Sequence, residues 1–364
     1  QRQQQQQQQQ PGGAAMEPLV TGRVVAALAG LAVTLTAWQR QYPHPNDIMK
    51  EHSASEALVN QTVVVTGANA GIGREAAAVF AAAGSDVILA CRSLEKCNAA
   101  VKGIRASVSP SQGLGTLPFQ LTVMQLDLED PASIRQFAAE LRATRPRVHI
   151  LVLNAGVYGI GWLEVRRSRT TGHELHWATN HLGHHYLTTQ LEQPLRAVAR
   201  AGSGRARVIA VASMSHLLSP PMPDKLTELP TQDMLEPSSR LFPVLRDHRL
   251  YAFSKLCNVL FAKELQRRWG DEVLAVSLDP GSLMLTDGGQ SAWYVRLGLR
   301  LAALWAKTPT EGVSTTVFAA VAAGLGGGEY LSDCSVSNHV HQDAHDAGKA
   351  KRLWDFTDNE ILKF

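Results

Sequence analysis

Residues 62–73 read T-V-V-V-T-G-A-N-A-G-I-G, and this stretch decides the architecture of the chain. Thr62 to Thr66 is a β-branched run of the kind that forms a short buried strand. Gly67, Gly71 and Gly73 follow, with Asn69 and Ile72 in the same loop, and the Ala-rich segment Arg74–Ala83 has helical character. A strand, a glycine turn and a helix start make a place for a phosphate. Glycine lets the backbone turn tightly and approach closely, and the first N–H groups of a helix carry partial positive charge. The spacing is G-x3-G-x-G, not the G-x-G-x-x-G of the common dinucleotide fingerprint. Taken alone, the loop suits a ligand-free strand–helix packing equally well.

Downstream of Gln61, apolar runs alternate with helical segments. Strands are expected near 62–66, 86–91, 122–127, 149–153, 206–212, 272–278 and 329–332. Helices are expected near 73–83, 93–106, 131–143, 173–199, 251–269 and 309–323. Such alternation defines an α/β fold: a Rossmann-like, doubly wound parallel sheet with helices on both faces, here one domain over residues 61–356. Residues 357–364 are a C-terminal tail.

Upstream, residues 1–15 form a low-complexity, Gln-rich leader, and Met16 is a candidate start. Residues 16–42 are a candidate membrane anchor or targeting segment. Val24 to Trp38 carries no charge, and Pro18–Trp38 just reaches the ~20 apolar residues that span a bilayer. An N-terminal apolar anchor helix is the favoured reading; a cleaved peptide and a helix packed on the domain are the alternatives. Residues 43–60 are a polar linker. A formal net charge of +3 on 364 residues, without basic clusters interleaved with aromatics, speaks against a nucleic-acid partner. The four cysteines, Cys91, Cys97, Cys257 and Cys334, form no C-x-x-C motif and read as reduced thiols in a cytosol-like compartment, with no metal.

The candidate site residues sit at the strand ends. The second strand ends in Cys91-Arg92, where an acid would bond a ribose 2′-hydroxyl and an Arg accommodates a 2′-phosphate. Arg92, with Arg74 beside Gly73, favours NADP(H) over NAD(H); the bland alternative for Arg92 is a solvated helix-start residue. The third strand ends at Asp127-Leu128, where Asp127 either accepts from an adenine amino group or caps the next helix. Asn154-Ala155-Gly156 ends the fourth, its small residues leaving room for a cofactor. Asn180 is a polar amide inside an apolar helix, which costs free energy unless paired; a distortion beside Gly183 would free a backbone carbonyl for water. His181, His184 and His185 lack a carboxylate at ligand spacing, so no metal is expected. The fifth strand ends at Ser213 without a G-x-S-x-G elbow, so a hydrolase nucleophile is not expected. The proline-rich insertion 214–250 carries apolar residues able to roof a site. Tyr251 and Lys255 lie four apart, on one helix face, where an ammonium favours a phenolate and makes the Tyr a usable general acid–base; taken alone, such a pair is more often two neighbours on a helix surface. Pro280-Gly281 follows the sixth strand. Ser291–Lys307 is amphipathic and either packs on the core or touches a membrane surface.

As a set, Thr66-Gly67-x3-Gly71-x-Gly73, Asp127, Asn154-Ala-Gly156, Asn180, Ser213, Tyr251-x3-Lys255 and Pro280-Gly281 resembles the short-chain dehydrogenase/reductase family, in the family's order over residues 61–356. Ala90-Cys-Arg92, Asn180-His-Leu-Gly-His184 and Lys307-Thr-Pro-x-Glu-Gly312 resemble its retinol dehydrogenase-like branch, and Ser254–Phe261 and Pro280–Met284 resemble the WW-domain oxidoreductases, though without a WW domain. The resemblance implies a catalytic tetrad of Asn180, Ser213, Tyr251 and Lys255. It also implies NADP(H) as cofactor and a lipophilic alcohol/carbonyl substrate such as a retinoid or steroid. The expected location is the endoplasmic reticulum or another organelle membrane, the catalytic domain facing the cytosol; a homodimer is left open. Leu153 and Ala212 depart from the family's usual Asn and Ser. Alternatives are a catalytically quiet interaction protein of this fold and an epimerase or dehydratase of nucleotide sugars.

Overall fold

The computed structural model describes residues 43–52, 58–108, 118–159, 165–226, 229–230, 243–281 and 307–364. The leader, the candidate anchor and the 291–306 part of the amphipathic segment lie outside these residues. Among the described residues, no helix is long and apolar enough to cross a membrane.

The strands are β1 (Thr62–Thr66), β2 (Asp86–Cys91), β3 (Gln120–Gln125), β4 (Ile150–Leu153), β5 (Ala206–Val211), β6 (Val273–Asp279), β7 (Tyr330–Ser332) and β8 (Ser335–Val336). They form one sheet in the order β3-β2-β1-β4-β5-β6-β7-β8. Neighbours are parallel except β7 with β8. The chain runs outward from β1 to β3, then returns to β4 on the other side of β1. The resulting crevice between β1 and β4 is the switch point at which doubly wound sheets bind ligands.

β1 is buried throughout, and its side chains alternate between two apolar layers. Val63 and Val65 join the layer of Phe80, Leu89 and Val317, and Val64 joins that of Ile88, Phe137 and Leu265. The helices are α1 (Pro45–Glu51), α2 (Gly71–Ala82), α3 (Leu94–Ser107), α4 (Pro131–Thr144), α5 (Leu175–Trp177), α6 (Gly183–Gln190), α7 (Glu192–Arg200), α8 (Pro243–Trp269), α9 (Pro309–Val321) and α10 (Ala347–Ile361). Ala178–Leu182, between α5 and α6, is a π-helical turn, the distortion expected beside Gly183.

Several details differ from the sequence expectation. The stretch read as a linker carries α1, whose Ile48 and Met49 are buried in the first apolar layer. α8 begins at Pro243 rather than Tyr251, because a proline at the first helical position costs no hydrogen bond. α10 continues past residue 356, burying Thr357 and Glu360. Cys91 and Cys97 form a disulfide with Cα atoms 6.2 Å apart, so the expectation of reduced thiols fails for this pair. The end of β2 and the first turn of α3 bring the two together, which C-x5-C spacing does not signal. Cys257 and Cys334 are free.

Gly183 sets how closely α6 approaches the end of β3. A Cβ there would collide with the Leu128 carbonyl and lie 2.8 Å from Leu128 Cβ. Gly183→Ala should therefore lower stability by about 1–3 kcal/mol, measured by denaturant unfolding; an unchanged midpoint would show that the Leu128 loop yields freely.

Candidate active site

The β1–α2 loop is a tight cradle in which Gly67 and Gly73 have no room for a side chain. Gly67 and Gly71 adopt φ of 67° and 56°, the left-handed region that favours glycine. A Cβ on Gly67 would lie 2.9 Å from Ala155 Cα, and one on Gly73 would lie 2.5 Å from the Gly67 carbonyl oxygen. Asn69 and Ile72 are partly exposed on the same loop. Ala70 caps α2 without any side-chain hydrogen bond, so no side chain competes there for an anion. The β4 end closes the cradle. Asn154 Nδ2 donates to the Thr66 carbonyl at 2.8 Å, and the Asn154 and Ala155 amides both donate to Thr66 Oγ1 at 2.9 Å. Gly156 lies where a Cβ would come within 3.2 Å of Asn180 Oδ1 and 3.6 Å of Lys255 Nζ.

Arg92 stands at the end of β2 with its side chain 67% exposed, paired with Glu129 at 3.0 Å. Burial, then the nearby Asp127 carboxylate, pushes the Glu129 carboxyl up, and Arg92 pulls it partly back. Sequence reasoning missed Glu129, because the pair spans 37 residues. Arg74 is exposed on α2 and pairs with its neighbour Glu75 at 2.7 Å. Asp127 does not cap α4. Its Oδ1 accepts from the Glu129 amide at 3.0 Å, and Asp130 provides the cap, accepting from Ala132 N at 2.9 Å. Leu128 is buried beside Gly183.

The widened turn before α6 turns Asn180 toward the β4 loop. Its Oδ1 accepts from Val157 N at 2.8 Å, and its Nδ2 donates to Val157 O at 3.2 Å and to Ser254 Oγ at 3.0 Å. The amide costly to bury alone is thus fully paired. Ser213, extended at φ −171°, caps the 3₁₀ turn Met214–Leu218, its Oγ accepting from Ser215 N at 3.2 Å. Asp279, at the end of β6, accepts from Met214 N at 2.9 Å and so holds the residue after Ser213. Pro280 is buried, and Gly281 at φ 114° lies where a Cβ would be 2.9 Å from Lys307 Cε.

Tyr251 and Lys255 share a face of α8. Lys255 Nζ lies 5.5 Å from the Tyr251 ring centroid and donates to the Val211 carbonyl at 2.9 Å. Burial lowers the Lys255 pKa to about 8, with Asp279 opposing. Burial also pushes the Tyr251 phenol up, and its hydrogen bond to Ser213 pulls it partly back. The expected lowering by the Lys cation is absent here, because the ammonium faces Val211 and desolvation outweighs it. A neutral phenol, a hydroxyl and an ammonium with a lowered pKa therefore meet at the C-terminal edge of the sheet.

Apolar groups flank this triad. Tyr158 packs edge-on against Tyr251 with ring centroids 4.7 Å apart, yet is 60% exposed; Met214 and Leu218 are 44% and 67% exposed. No motif marked Tyr158. The three histidines face different partners: His181 Nε2 bonds Thr357 Oγ1 at 3.2 Å, His184 Nε2 meets Thr66 Oγ1 at 2.9 Å, and His185 Nε2 meets Asp358 Oδ1 at 2.7 Å.

The sequence profile described as short chain dehydrogenase matches residues 61–222. The chain is 34% identical over 307 residues to a WW domain-containing oxidoreductase of Danio rerio, covering 84% of this chain and 69% of that one. It is 35% identical over 301 residues to retinol dehydrogenase 12 of Mus musculus, covering 82% and 85%. A solved structure of an uncharacterised protein from Mycobacterium paratuberculosis superposes with a TM-score of 0.59 at 26% identity, over 89% of this chain and 97% of that one. The chain belongs to the short-chain dehydrogenase/reductase family, in the branch of the retinol dehydrogenases and the WW domain-containing oxidoreductases. It is thus of an oxidoreductase family whose fold binds nicotinamide cofactors.

The depressed pKa of Lys255 has a stability consequence with a definite sign. Between pH about 8 and 10.5 the unfolded chain holds the lysine proton and the folded chain does not, so this group's contribution to stability rises with pH across that window. Relative to Lys255→Met, the wild-type unfolding free energy should climb by ~3 kcal/mol over it. Parallel profiles in denaturant titrations would contradict a buried lysine with a lowered pKa.

Proposed function

We propose that the protein is an NADP(H)-dependent oxidoreductase that interconverts a lipophilic alcohol and its carbonyl. The carrying observation is the convergence of Tyr251, Ser213 and Lys255: Ser213 acts on the Tyr251 phenol, and the buried Lys255 lies on the same helix face, its Nζ 5.5 Å from the phenol ring. The bound nicotinamide would supply or accept the hydride. Burial keeps Tyr251 a neutral phenol, the form that donates a proton to a carbonyl oxygen, so reduction starts with the acid in its required state. Ser213 would donate to the same oxygen as charge develops on it. Lys255 would bond the nicotinamide ribose and favour the phenolate that remains after proton transfer. Asn180 would hold the water that links Lys255 to solvent.

The cradle of Gly67, Asn69, Gly71, Ile72, Gly73 and α2 fits a pyrophosphate, because two left-handed glycines turn the chain tightly and the start of α2 has no side-chain cap to compete for an anion. Asp127 and Leu128 would border the adenine, and Asn154, Ala155, Gly156, Pro280 and Gly281 the nicotinamide half. Arg92, supported by Arg74, would take the 2′-phosphate that separates NADP(H) from NAD(H). Glu129 competes with that phosphate for the Arg92 guanidinium. Exposed Tyr158, Met214 and Leu218 beside the catalytic pair support a lipophilic substrate, as does the name of the retinol dehydrogenase relative. Within residues 16–42, the apolar segment would hold the domain at an organelle membrane, facing the cytosol.

Tyr251→Phe should reduce turnover by about 10²- to 10⁴-fold while NADPH affinity, read by fluorescence titration, stays near wild type. Retained turnover would refute the mechanism. Arg92→Asp should shift the NADP/NAD preference toward NAD by roughly tenfold or more, the scale of a charged hydrogen bond, and Glu129→Gln should shift it toward NADP. Unchanged ratios in both variants would remove Arg92 from the 2′-phosphate site.

A further inference from the structure

His184 occupies a place that the tetrad does not explain. It is 2% exposed, in the first turn of α6, immediately after the π-helical turn that carries Asn180. Its Nδ1 lies 3.0 Å from the Asn180 backbone carbonyl, and its Nε2 lies 2.9 Å from Thr66 Oγ1.

The proton arrangement follows from hydrogen-bond chemistry. A carbonyl only accepts, so Nδ1 carries the imidazole proton and donates it to Asn180 O. A neutral imidazole has one N–H, so Nε2 presents a lone pair to Thr66. The Thr66 hydroxyl has one proton and two lone pairs. Both lone pairs are taken by the amides of Asn154 and Ala155, each at 2.9 Å. Its proton can go to Nε2 at 2.9 Å or to Val152 O at 3.3 Å, and Nε2 is the nearer. Every donor then meets an acceptor along the chain Asn180 O–His184–Thr66–Asn154/Ala155. A second ring proton would point Nε2–H at an oxygen with no lone pair left. Burial, with Lys255 adding to it, lowers the His184 pKa to about 3 and so keeps the ring neutral.

Resting on the oxidoreductase reading, we propose that His184 is a positioning residue that fixes the Asn180 carbonyl against the cofactor cradle by bridging it to Thr66. One end of the bridge is the last residue of β1, next to Gly67. The other is the backbone of the residue whose side chain grips Val157 and Ser254, and Ser254 Oγ in turn donates to the Tyr251 carbonyl at 2.7 Å. The ring thereby spans the gap between the groups that would hold the nicotinamide and the turn whose Asn180 side chain reaches Ser254 on the helix that carries the acid. His184 touches no reacting atom itself.

The bridge makes two readable demands. In the full-length wild-type protein carrying ¹⁵N-labelled histidine, the His184 ring should show a protonated Nδ1 and a bare Nε2, unchanged from about pH 5 to 8, where ordinary histidines titrate. An Nε2–H tautomer, or titration in that range, would overturn the bridge. In steady-state kinetics, His184→Phe should lower kcat on the order of tenfold to a hundredfold, the scale of a small misplacement. KM for the carbonyl and Kd for NADPH should change less than about threefold. His184→Asn, whose amide can still donate to Asn180 O, should recover most of that kcat. A Phe variant with wild-type kcat would overturn the proposal, as would an Asn variant no better than a folded Phe variant. Should His184→Phe not fold, the wild-type tautomer decides the bridge and the Asn variant's kcat, compared with wild type, decides its role. A wild-type protein without turnover would sink the oxidoreductase reading, while the nitrogen spectrum would still decide whether the bridge exists.

Discussion

One hydroxyl holds the site together. Thr66 Oγ1 receives the amides of Asn154 and Ala155, and thereby fixes the distance between the ends of β1 and β4, the strands on either side of the switch point. The backbone amides that leave the β4 ladder, half-buried, would otherwise lose their partners. Asn154 adds a side-chain bond to the Thr66 carbonyl, so the loop is pinned from both directions. With that spacing set, Gly67 and Gly73 can pack where any side chain would collide. The cradle is a consequence of the clamp, and Asn180 extends it toward α8 through Val157 and Ser254.

Desolvation is the dominant electrostatic force in this site. Lys255 and Asp279 are buried and Tyr251 is half-buried, and desolvation pushes each toward its neutral form. The i, i+4 placement of Tyr251 and Lys255 brings a cation near the phenol without overcoming that force. A proton stored on a neutral phenol is available to a carbonyl oxygen. The transfer becomes favourable as negative charge develops between donors that are already in place. Asp279 contributes by holding the Met214 amide, and with it the backbone beside Ser213.

The core of this arrangement was legible in the sequence because it depends on local signals. The β-branched run of β1 and the glycines after it located the first strand to the residue, and the order of short motifs pointed to the family. Tyr251 and Lys255 declared a shared face through spacing alone. What escaped depends on distance in the chain or on ambiguous residues. Glu129 meets Arg92 only after β2 and β3 pair. The prolines before Tyr251 read as loop, although Pro243 opens α8. The short α1 has too few residues for its buried Ile48 and Met49 to show a period. Cys91 and Cys97 meet through the packing of a strand end on a helix, which a cysteine count does not reveal. The histidines after Asn180 were legible as a cluster, but their separate partners, on β1 and α10, were not.

The most direct test of the central claim follows the hydride itself. The full chain would be incubated with NADPH deuterated at the transferring ring position and with retinoid, steroid and aliphatic carbonyls in turn. At least one lipophilic carbonyl should be reduced to an alcohol carrying deuterium on its carbinol carbon, with NADPH consumed in equal amount. Bound NADPH with no carbonyl reduced, or an alcohol formed without the label, would contradict a hydride-transferring enzyme built on Tyr251, Ser213 and Lys255.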